Sequence, residues 1–292
     1  MQEVMLRALR AADSFAGRSS LRSWLYRIAT NVCLDMLRGR KRRAWPAALG
    51  VPSSPDGNLL GPLLPEYTWV SPVADAAVLP EDADPAEITV ARETVRLAFV
   101  TALQQLTGRQ RAVLLLNQVL RLDAAEIAEQ LDTTVAAVYA LLQRARATLG
   151  ALPVRERPTD VAAEHAELLA RYVAAFERYD IAALVDLLHA DAIQSMPPFA
   201  MWLRGPADIG AWMVGPGADC RSSRLIPTAA NDSAAFGQYR RDPAGGHAPW
   251  ALQVLQIAGG QITELHFFLG TARLFPLFGL PAKLPESDAA TP

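Results

Sequence analysis

A proline-rich, acidic stretch at residues 44–85 is the feature that most constrains how this chain can fold. It holds eight prolines among glycines and acidic residues, and proline lacks the backbone donor that helices and sheets need. Residues 44–90 contain seven Asp or Glu and no Lys or Arg, whereas residues 1–43 contain ten basic residues against three acidic ones. The chain is therefore expected to fold as separate parts on either side of this stretch, and its basic head points to a polyanionic partner.

Length and composition set the broad class. At 292 residues with 51% hydrophobic content, the chain is long enough for two or three domains with their own cores. Cys33 and Cys220 lie far apart, so no disulfide framework is predicted and a reducing, cytoplasmic location is expected. No apolar run approaches the length of a membrane span, and no signal peptide precedes the first helix. The four histidines lack metal-ligand spacing, so neither a metal nor a cofactor is predicted.

Residues 19–43 form a predicted amphipathic helix with a basic end. Two serines suit its N-cap, and an apolar stripe is expected to face a core. The other side carries basic, aromatic and amide groups, which suit a nucleic-acid backbone with unstacked bases. Pattern alone supports a solvated amphipathic helix about equally well. The capping serines are Ser19 and Ser20, the stripe is Leu21, Leu25, Ile28 and Val32, and the other side and the end carry Arg22, Ser23, Tyr26, Arg27, Thr30, Asn31, Arg38, Arg40, Lys41, Arg42 and Arg43.

The amino-acid sequence of this helix decides between the two interpretations. SWLYRIATNVCLD, at residues 23–35, resembles regions 2.3 and 2.4 of extracytoplasmic-function (group 4) bacterial sigma factors, which melt promoter DNA. The resemblance implies that Asn31, with the loop at residues 14–20, captures a base flipped from the −10 element. Trp24 either stacks on DNA or packs in a core, and its place beside the apolar stripe favours the core.

The first predicted helix, residues 2–14, resembles the region 2.2 helix that docks on core RNA polymerase. Sigma factors of this group have further helices before that point. The resemblance therefore implies a truncated region 2, or a start upstream of Met1.

Residues 86–150 are predicted to form four helices, the last two arranged as a helix-turn-helix. Thr107 with Gln110, and Asp123 with Glu126, have the spacing of capping boxes. The first helix has an inner stripe of Val95, Phe99, Leu103 and Leu106, and the final pair, at 124–131 and 135–149, points Ile127, Leu131, Val138 and Leu142 inward.

The segments LTGRQRAVLLL, AAEIAEQL and VAAVYALLQRARATL resemble sigma region 4, which reads the −35 element. Gln and Arg side chains can bond adenine and guanine edges, and a threonine at a helix N-terminus can hold a phosphate. For Arg144, a base contact is supported about as well as a phosphate contact or a solvated side chain. The predicted −35 contacts are Thr133, Thr134, Ala137, Tyr139, Gln143, Arg144 and Arg146.

A second linker, residues 151–160, leads into a predicted α+β domain at residues 161–284, followed by a tail at 285–292 expected to be disordered. Helices are predicted at 164–179 and 181–189. Two strand-like segments flank Gly259 and Gly260, a strong signal for a β-hairpin.

This part resembles the SnoaL-like branch of the nuclear-transport-factor-2-like cone fold, through RYVAAFERYDIAALVDLLHADAIQSMPP and MPPFAMWLRG. Some group 4 sigma factors carry such a domain in place of a separate anti-sigma protein. The fold wraps its sheet around a pocket, although large apolar residues there can equally well just fill the cone. The predicted lining residues are Met196, Phe199, Trp202, Arg204, Trp212, His266 and Phe268.

Catalysis in the cone would need an acid–base pair, and Asp191 with His266 is the pair that the sequence offers. Asp191 is expected instead to end the helix at 181–189, and His189 and His247 are expected at the surface. No catalytic residue is therefore assigned.

The sequence thus predicts a multidomain protein: two all-α sigma domains, at residues 1–43 and 86–150, followed by an α+β cone. The predicted function is a sigma factor that binds core RNA polymerase and promoter DNA, with no membrane partner, and is regulated in cis by the cone. The alternative is a DNA-binding head fused to an isomerase- or cyclase-type enzyme. A small-molecule ligand of the cone, and the direction of its regulation, stay open.

The linker at 44–85 has two interpretations. It is either a passive tether or, as the resemblance implies, a segment that enters the polymerase channels. Its apolar residues indicate that part of it docks on a protein surface; they are Leu63, Leu64, Tyr67 and Trp69.

Overall fold

The computed structural model describes residues 2–12, 15, 17, 20–37, 50–65, 68–77, 106–118, 120, 122–150 and 165–286. These fall into two compact units. The first unit contains the described residues up to 37 and those from 106 to 150, and the second contains residues 50–77 and 165–286. Several predicted features lie outside the described residues: the basic end at 38–43, the helix within 86–105, the linker at 151–160 and the tail from 287.

Two helices open the first unit. They pack on each other, and the Arg7 guanidinium joins them by bonding Asp35 Oδ2 at 2.9 Å. The same guanidinium bonds Glu3 Oε1 of its own helix at 3.0 Å. The predicted apolar stripe is buried at Val32, but Leu21 in its first turn is 57% exposed, which differs from the prediction. The Ser20 hydroxyl caps the second helix by accepting from Ser23 N. Helix α1 is Gln2–Ala11 and α2 is Leu21–Leu37.

The predicted helix-turn-helix is confirmed. The Asp123 carboxylate accepts from the amides of Ala125 and Glu126, and Glu126 Oε2 accepts from Asp123 N, so the capping box satisfies otherwise unpaired amides. Thr107 and Gln110 form the other predicted box. All four predicted inward residues are buried. Helix α3 is Gly108–Gln118, α4 is Ala124–Gln130 and α5 is Val135–Gly150.

The second unit is built on a six-stranded sheet in the order β2-β1-β6-β5-β4-β3. In this sheet β1 and β6 pair in parallel, and the other described neighbours are antiparallel. The predicted hairpin is confirmed, with φ of 57° at Gly259 and 74° at Gly260, which glycine adopts without strain. Helices α6, α7 and α8 are Ala166–Arg178, Ile181–Val185 and Pro206–Val214, and β1 to β6 are Leu188–Ser195, Trp202–Arg204, Arg224–Ala230, Ser233–Arg241, His247–Ala258 and Gln261–Leu269.

The helix predicted at 181–189 is shorter in the structure. It ends at Val185, and β1 begins at Leu188. The prediction that Asp191 ends this helix was wrong, because Asp191 lies in β1, exposed where the pairing with β6 shifts register. From residue 192 every residue of β1 is buried, so the strand lacks the alternation that distinguishes it from a buried helix.

Both faces of the sheet are covered. The inner face packs on α6, α7 and α8 through a core that includes Phe176, Trp212 and Phe267. The outer face carries a second core, in which Phe268 packs with Phe275 of the C-terminal 3-10 helix, Ala272–Phe278. Successive residues of β6 thus enter different cores, as strand geometry requires.

The described part of the acidic stretch belongs to the second unit rather than forming a separate tether. Along the β2 edge, Ser53 N donates to Trp202 O at 2.8 Å, and the Trp202 indole donates to Gly50 O at 3.1 Å. Leu64 N donates to Pro198 O. This segment, residues 50–77, is called the docked linker below.

The second half of the docked linker covers the outer face of the sheet. Val70 and Ala74 are buried in the outer core, and Ala74 forms an antiparallel bridge with Ala230. Asn231 forms two hydrogen bonds with Val73. Its side-chain Oδ1 accepts from Val73 N at 3.0 Å, and its backbone N donates to Val73 O at 3.1 Å. Of the four apolar residues predicted to dock, Trp69 is buried and Leu64 half-buried, Leu63 is 66% exposed, and Tyr67 lies outside the described residues.

Candidate functional site

An open groove of about 360 Å³ lies between α1 and α2. The exposed Asn31 side chain lines it beside Arg7 and Arg10, with Ala11 and Ile28 completing its wall. An amide can donate to and accept from one base edge, while the exposed Arg10 guanidinium can attract a phosphate. The Arg7 guanidinium is already paired with Glu3 and Asp35. The groove thus combines the two chemistries that a captured nucleotide requires.

The aromatic residues of α2 are already engaged with side chains. Arg22 Nε donates to the Tyr26 hydroxyl at 3.0 Å, and its guanidinium lies 5.4 Å from the centre of the Tyr26 ring. The half-buried Trp24 ring lies 5.2 Å from that of Phe15, a packing contact rather than an open platform. Arg27 is exposed on the same helix. The predicted contacts Arg38, Arg40, Lys41, Arg42 and Arg43 lie outside the described residues.

The recognition helix α5 presents its predicted contact residues to the surface. Thr134 caps it by accepting from Ala137 N at 3.2 Å. Tyr139 is 62% exposed although it is aromatic. A capped helix with exposed donors on one side can enter a major groove. Gln143, Arg144 and Arg146 are also exposed, and Thr133 and Ala137 are half-buried.

A cavity of about 280 Å³ lies in the second unit on the inner face of the sheet. Three predicted residues line it: Met196, Phe199 and Trp212. Sequence reasoning missed the rest of the wall, which includes one residue of the docked linker, Leu60. The other missed lining residues are Phe176, Gln194, Met213, Pro216, Gly217, Asp219, Cys220, Gln238, Arg240, Trp250, Phe267 and Leu269.

The other four predicted lining residues do not line this cavity. Trp202 bonds the docked linker, and the Arg204 guanidinium lies 5.4 Å from the Trp202 ring. Phe268 belongs to the outer core. His266 pairs with Ser195 in the sheet and shares its face, whereas Gln194 and Phe267, one residue away, line the cavity. The alternation of strand residues accounts for these corrections.

His266 takes part in a buried polar chain. Its Nδ1 lies 2.9 Å from Ser195 Oγ and its Nε2 lies 2.6 Å from Glu264 Oε2. All three side chains are buried, on the sheet face opposite the cavity residues. Asp191 and His266, the pair that the sequence offered for catalysis, do not meet: Glu264 is the acidic partner of His266, and Asp191 is exposed.

The polar groups behind the cavity form a second chain, in which donors and acceptors alternate. Tyr172 donates to Gln253, Gln253 donates to Gln238, and Gln238 donates to Ser223. Burial raises the pKa of the Tyr172 hydroxyl, which keeps it a neutral donor. Burial likewise raises the pKa of the Cys220 thiol, against the opposing effect of a Gln238 hydrogen bond.

In the part of the chain that the structure describes, no helix is both long and apolar enough to cross a membrane. Nor does that part contain a cluster of three His, Cys, Asp or Glu side chains placed to hold a metal ion.

Family models match three parts of the chain. Residues 1–43 match "Sigma-70 region 2", residues 96–149 match "Sigma-70, region 4" and residues 169–265 match the "SnoaL-like domain". The structure also resembles the crystal structure of the Mycobacterium tuberculosis extracytoplasmic function sigma factor SigJ, with a TM-score of 0.56 at 22% identity, over 97% of this chain and 89% of that one. This likeness shows a shared fold.

Sequence comparison gives the family. The chain is 31% identical to the Mycobacterium tuberculosis ECF RNA polymerase sigma factor SigJ over 170 residues, which cover 58% of this chain and 48% of that protein. It is 46% identical to the ECF RNA polymerase sigma factor SigG of the same organism over 293 residues, covering 97% of this chain and 77% of that protein. With this identity over nearly its whole length, the chain belongs to the extracytoplasmic-function family of RNA polymerase sigma factors.

Proposed function

We propose that this sigma factor is restrained in cis by its C-terminal domain, which holds the linker between the two DNA-binding regions. The observation that carries the proposal is the docked linker, which follows the β2 edge and then the outer face of the sheet. A segment with Trp69, Val70 and Ala74 buried cannot lie along another surface at the same time. Restraint follows because linkers of this family, by resemblance, enter the channels of the polymerase.

The first unit supplies the partner surfaces in this proposal. Helix α1 leaves Met5, Leu6 and Leu9 exposed, an apolar surface suited to core RNA polymerase. The groove at Asn31 is assigned to a flipped base of the −10 element, and the exposed side of α5 to the −35 element. Core polymerase and promoter DNA are thus the proposed partners.

A regulatory role for the C-terminal domain is preferred to an enzymatic one. Among the described lining residues of the cavity, the one carboxylate is Asp219, which is exposed and bonds Arg240 at 3.3 Å. The buried His266 and Glu264 lie on the opposite sheet face. The described part of the cavity therefore lacks the acid–base pair that isomerase or cyclase chemistry needs.

Asn231→Gly should release the linker and raise transcription severalfold. Asn231 has a φ of 55°, which glycine adopts readily, so the backbone tolerates the change. The substitution removes the acceptor for the half-buried Val73 N. Loss of such a hydrogen bond costs about 1 kcal/mol. The measurement is transcript yield in a reconstituted assay with core polymerase and a promoter selected with the full-length protein.

Ser222→Gly is the matched control. Ser222 has a φ of 61° in the same unit, and its exposed side chain lies in another turn. Its glycine variant should transcribe like the wild type. An unchanged or lower yield with Asn231→Gly, in a protein whose Val73 amide has lost its protection from hydrogen exchange, would rule out restraint by the docked linker.

A further inference from the structure

The cavity of the C-terminal domain has a wall made from two distant parts of the chain. Most of its lining comes from the helices and the inner sheet face, but Leu60 comes from the docked linker. The linker approaches closely here: a Cβ on Gly57 would lie 3.3 Å from Pro216 Cβ, and Pro216 itself lines the cavity. A molecule in the cavity would therefore contact both the domain and the linker.

The lining is mainly apolar and aromatic, with Phe176, Trp212, Trp250 and Phe267 among its rings. Its volume of about 280 Å³ lies near the lower end of the ~300–1,000 Å³ typical of ligand pockets. Flat aromatic walls favour flat apolar ligands. The space thus suits a compound of one or two rings.

Gln194 provides a polar contact that the protein itself leaves unused. The residue is 1% exposed, and its Oε1 is a buried acceptor without a partner among the described residues. Its Nε2 makes only a weak bond to the Met196 sulfur at 4.0 Å. Gln238, by contrast, has both ends of its amide paired. Buried acceptors without a partner are rare in folded proteins, and rotation about the last torsion of Gln194 is soft enough to turn this oxygen toward a ligand.

The charges at the cavity are already compensated. Arg240 bonds Asp219 at 3.3 Å, and its guanidinium lies 4.2 Å from the Trp250 ring. The Cys220 thiol stays neutral, because burial raises its pKa. A charged ligand would have to break the Arg240 contacts or remain unpaired, so the lining favours an uncharged one.

We propose that this cavity binds a small, uncharged ring compound that donates one O–H or N–H hydrogen bond to Gln194, with Leu60 of the docked linker packing over it. The binding site is inferred from the cavity alone, whereas an effect of the ligand on transcription rests on the proposed function. A ligand that contacts Leu60 only in the docked state shifts the equilibrium toward docking.

The test uses two probes of matched shape, 2-naphthol and 2-methylnaphthalene, and the full-length protein in equilibrium dialysis. The hydroxyl of 2-naphthol is the donor that the methyl group of the other probe lacks. The ratio of the two Kd values is measured for the wild type and for Gln194→Met, which keeps the side-chain length but removes the acceptor. The preference for 2-naphthol should fall about tenfold in Gln194→Met, because the buried hydroxyl loses its partner.

Leu60→Ala tests the apolar contact with the probes separately from the hydrogen bond to Gln194. It should weaken both probes to a similar extent and leave their ratio unchanged, since Leu60 offers only apolar contact. Failure of the wild type to bind either probe would overturn the site, and an unchanged ratio in Gln194→Met would overturn Gln194 as the hydrogen-bond acceptor. Circular dichroism at the start of each titration checks that every variant is folded.

Failure of this site and failure of cis regulation give different results. Probe binding with no gain in the hydrogen-exchange protection of Leu60 and Leu64 amides would leave the site standing and remove its link to the linker. Severalfold activation by Asn231→Gly without probe binding would support regulation by the docked linker and overturn the ligand site.

Discussion

Asn31→Ala should lower the yield of open promoter complex roughly tenfold or more while leaving duplex −35 binding unchanged. The Asn31 amide lies exposed in the groove beside Arg7 and Arg10, so it is available to a base once that base has left the stack. A good amide–base contact contributes about 1–3 kcal/mol. Permanganate reactivity of unpaired thymines measures melting, and a −35 duplex binding assay measures recognition.

Arg27→Gln is the comparison for Asn31→Ala. Arg27 is exposed on the same helix, and a cation there acts on the phosphate backbone. Its loss should weaken binding to all promoter forms alike and reduce the dependence of affinity on salt. If Asn31→Ala behaved like Arg27→Gln, with equal losses in duplex binding and melting, the groove would be a phosphate site and not a base site.

Phe275→Ala should destabilise the C-terminal domain by about 3–5 kcal/mol, the usual cost of removing a buried phenylalanine. Phe275 is fully buried at the centre of the outer core, with its ring edge-on to Tyr239 at 5.2 Å. The same core contains Val70 and Ala74 of the docked linker. We therefore expect the variant to lose both sheet stability and linker docking.

Urea unfolding followed by tryptophan fluorescence measures this effect. Trp69, Trp202, Trp212 and Trp250 lie in the second unit, so its transition dominates the signal. Leu277→Ala is the control, because Leu277 lies on the same 3-10 helix but is 66% exposed. A loss below 1 kcal/mol in Phe275→Ala would show that the linker-side core contributes little to stability.

The features predicted correctly were those that depend on residues close together along the chain. Both capping boxes, the helix-turn-helix and the hairpin at Gly259–Gly260 follow from the spacing of a few residues and were confirmed. The helix predicted through His189 ends instead at Val185, and β1 follows from Leu188 with a burial pattern that lacks the alternation of a strand. Local pattern alone does not resolve such a segment.

The cavity was predicted only in part, because the sheet has two covered faces. Met196 and His266 were both expected in the pocket, but of the two Met196 lines it and His266 does not. Gln194 and Phe267 face the cavity, whereas their chain neighbours Ser195 and His266 lie on the opposite face of the sheet. Hairpin alternation indicates that neighbouring residues face opposite ways, but not which face encloses the cavity. That depends on which segments cover the outer face, and no local pattern assigns the acidic stretch to it.

A disulfide between the docked linker and the sheet tests the restraint most directly. Ala74 and Ala230 are antiparallel bridge partners, and Asn231 N bonds Val73 O beside them, which makes them a closely spaced pair. Ala74→Cys with Ala230→Cys, in a Cys33→Ser background, locks the linker when oxidised before core polymerase is added. The two proteins that carry only one of the introduced cysteines serve as controls.

We expect the oxidised double variant to give at least tenfold less transcript than the same protein after reduction, while the controls with one introduced cysteine respond to neither treatment. Mass spectrometry establishes that the disulfide has formed. Equal transcription from the locked and the reduced protein would contradict the docked linker as the restraint on this sigma factor.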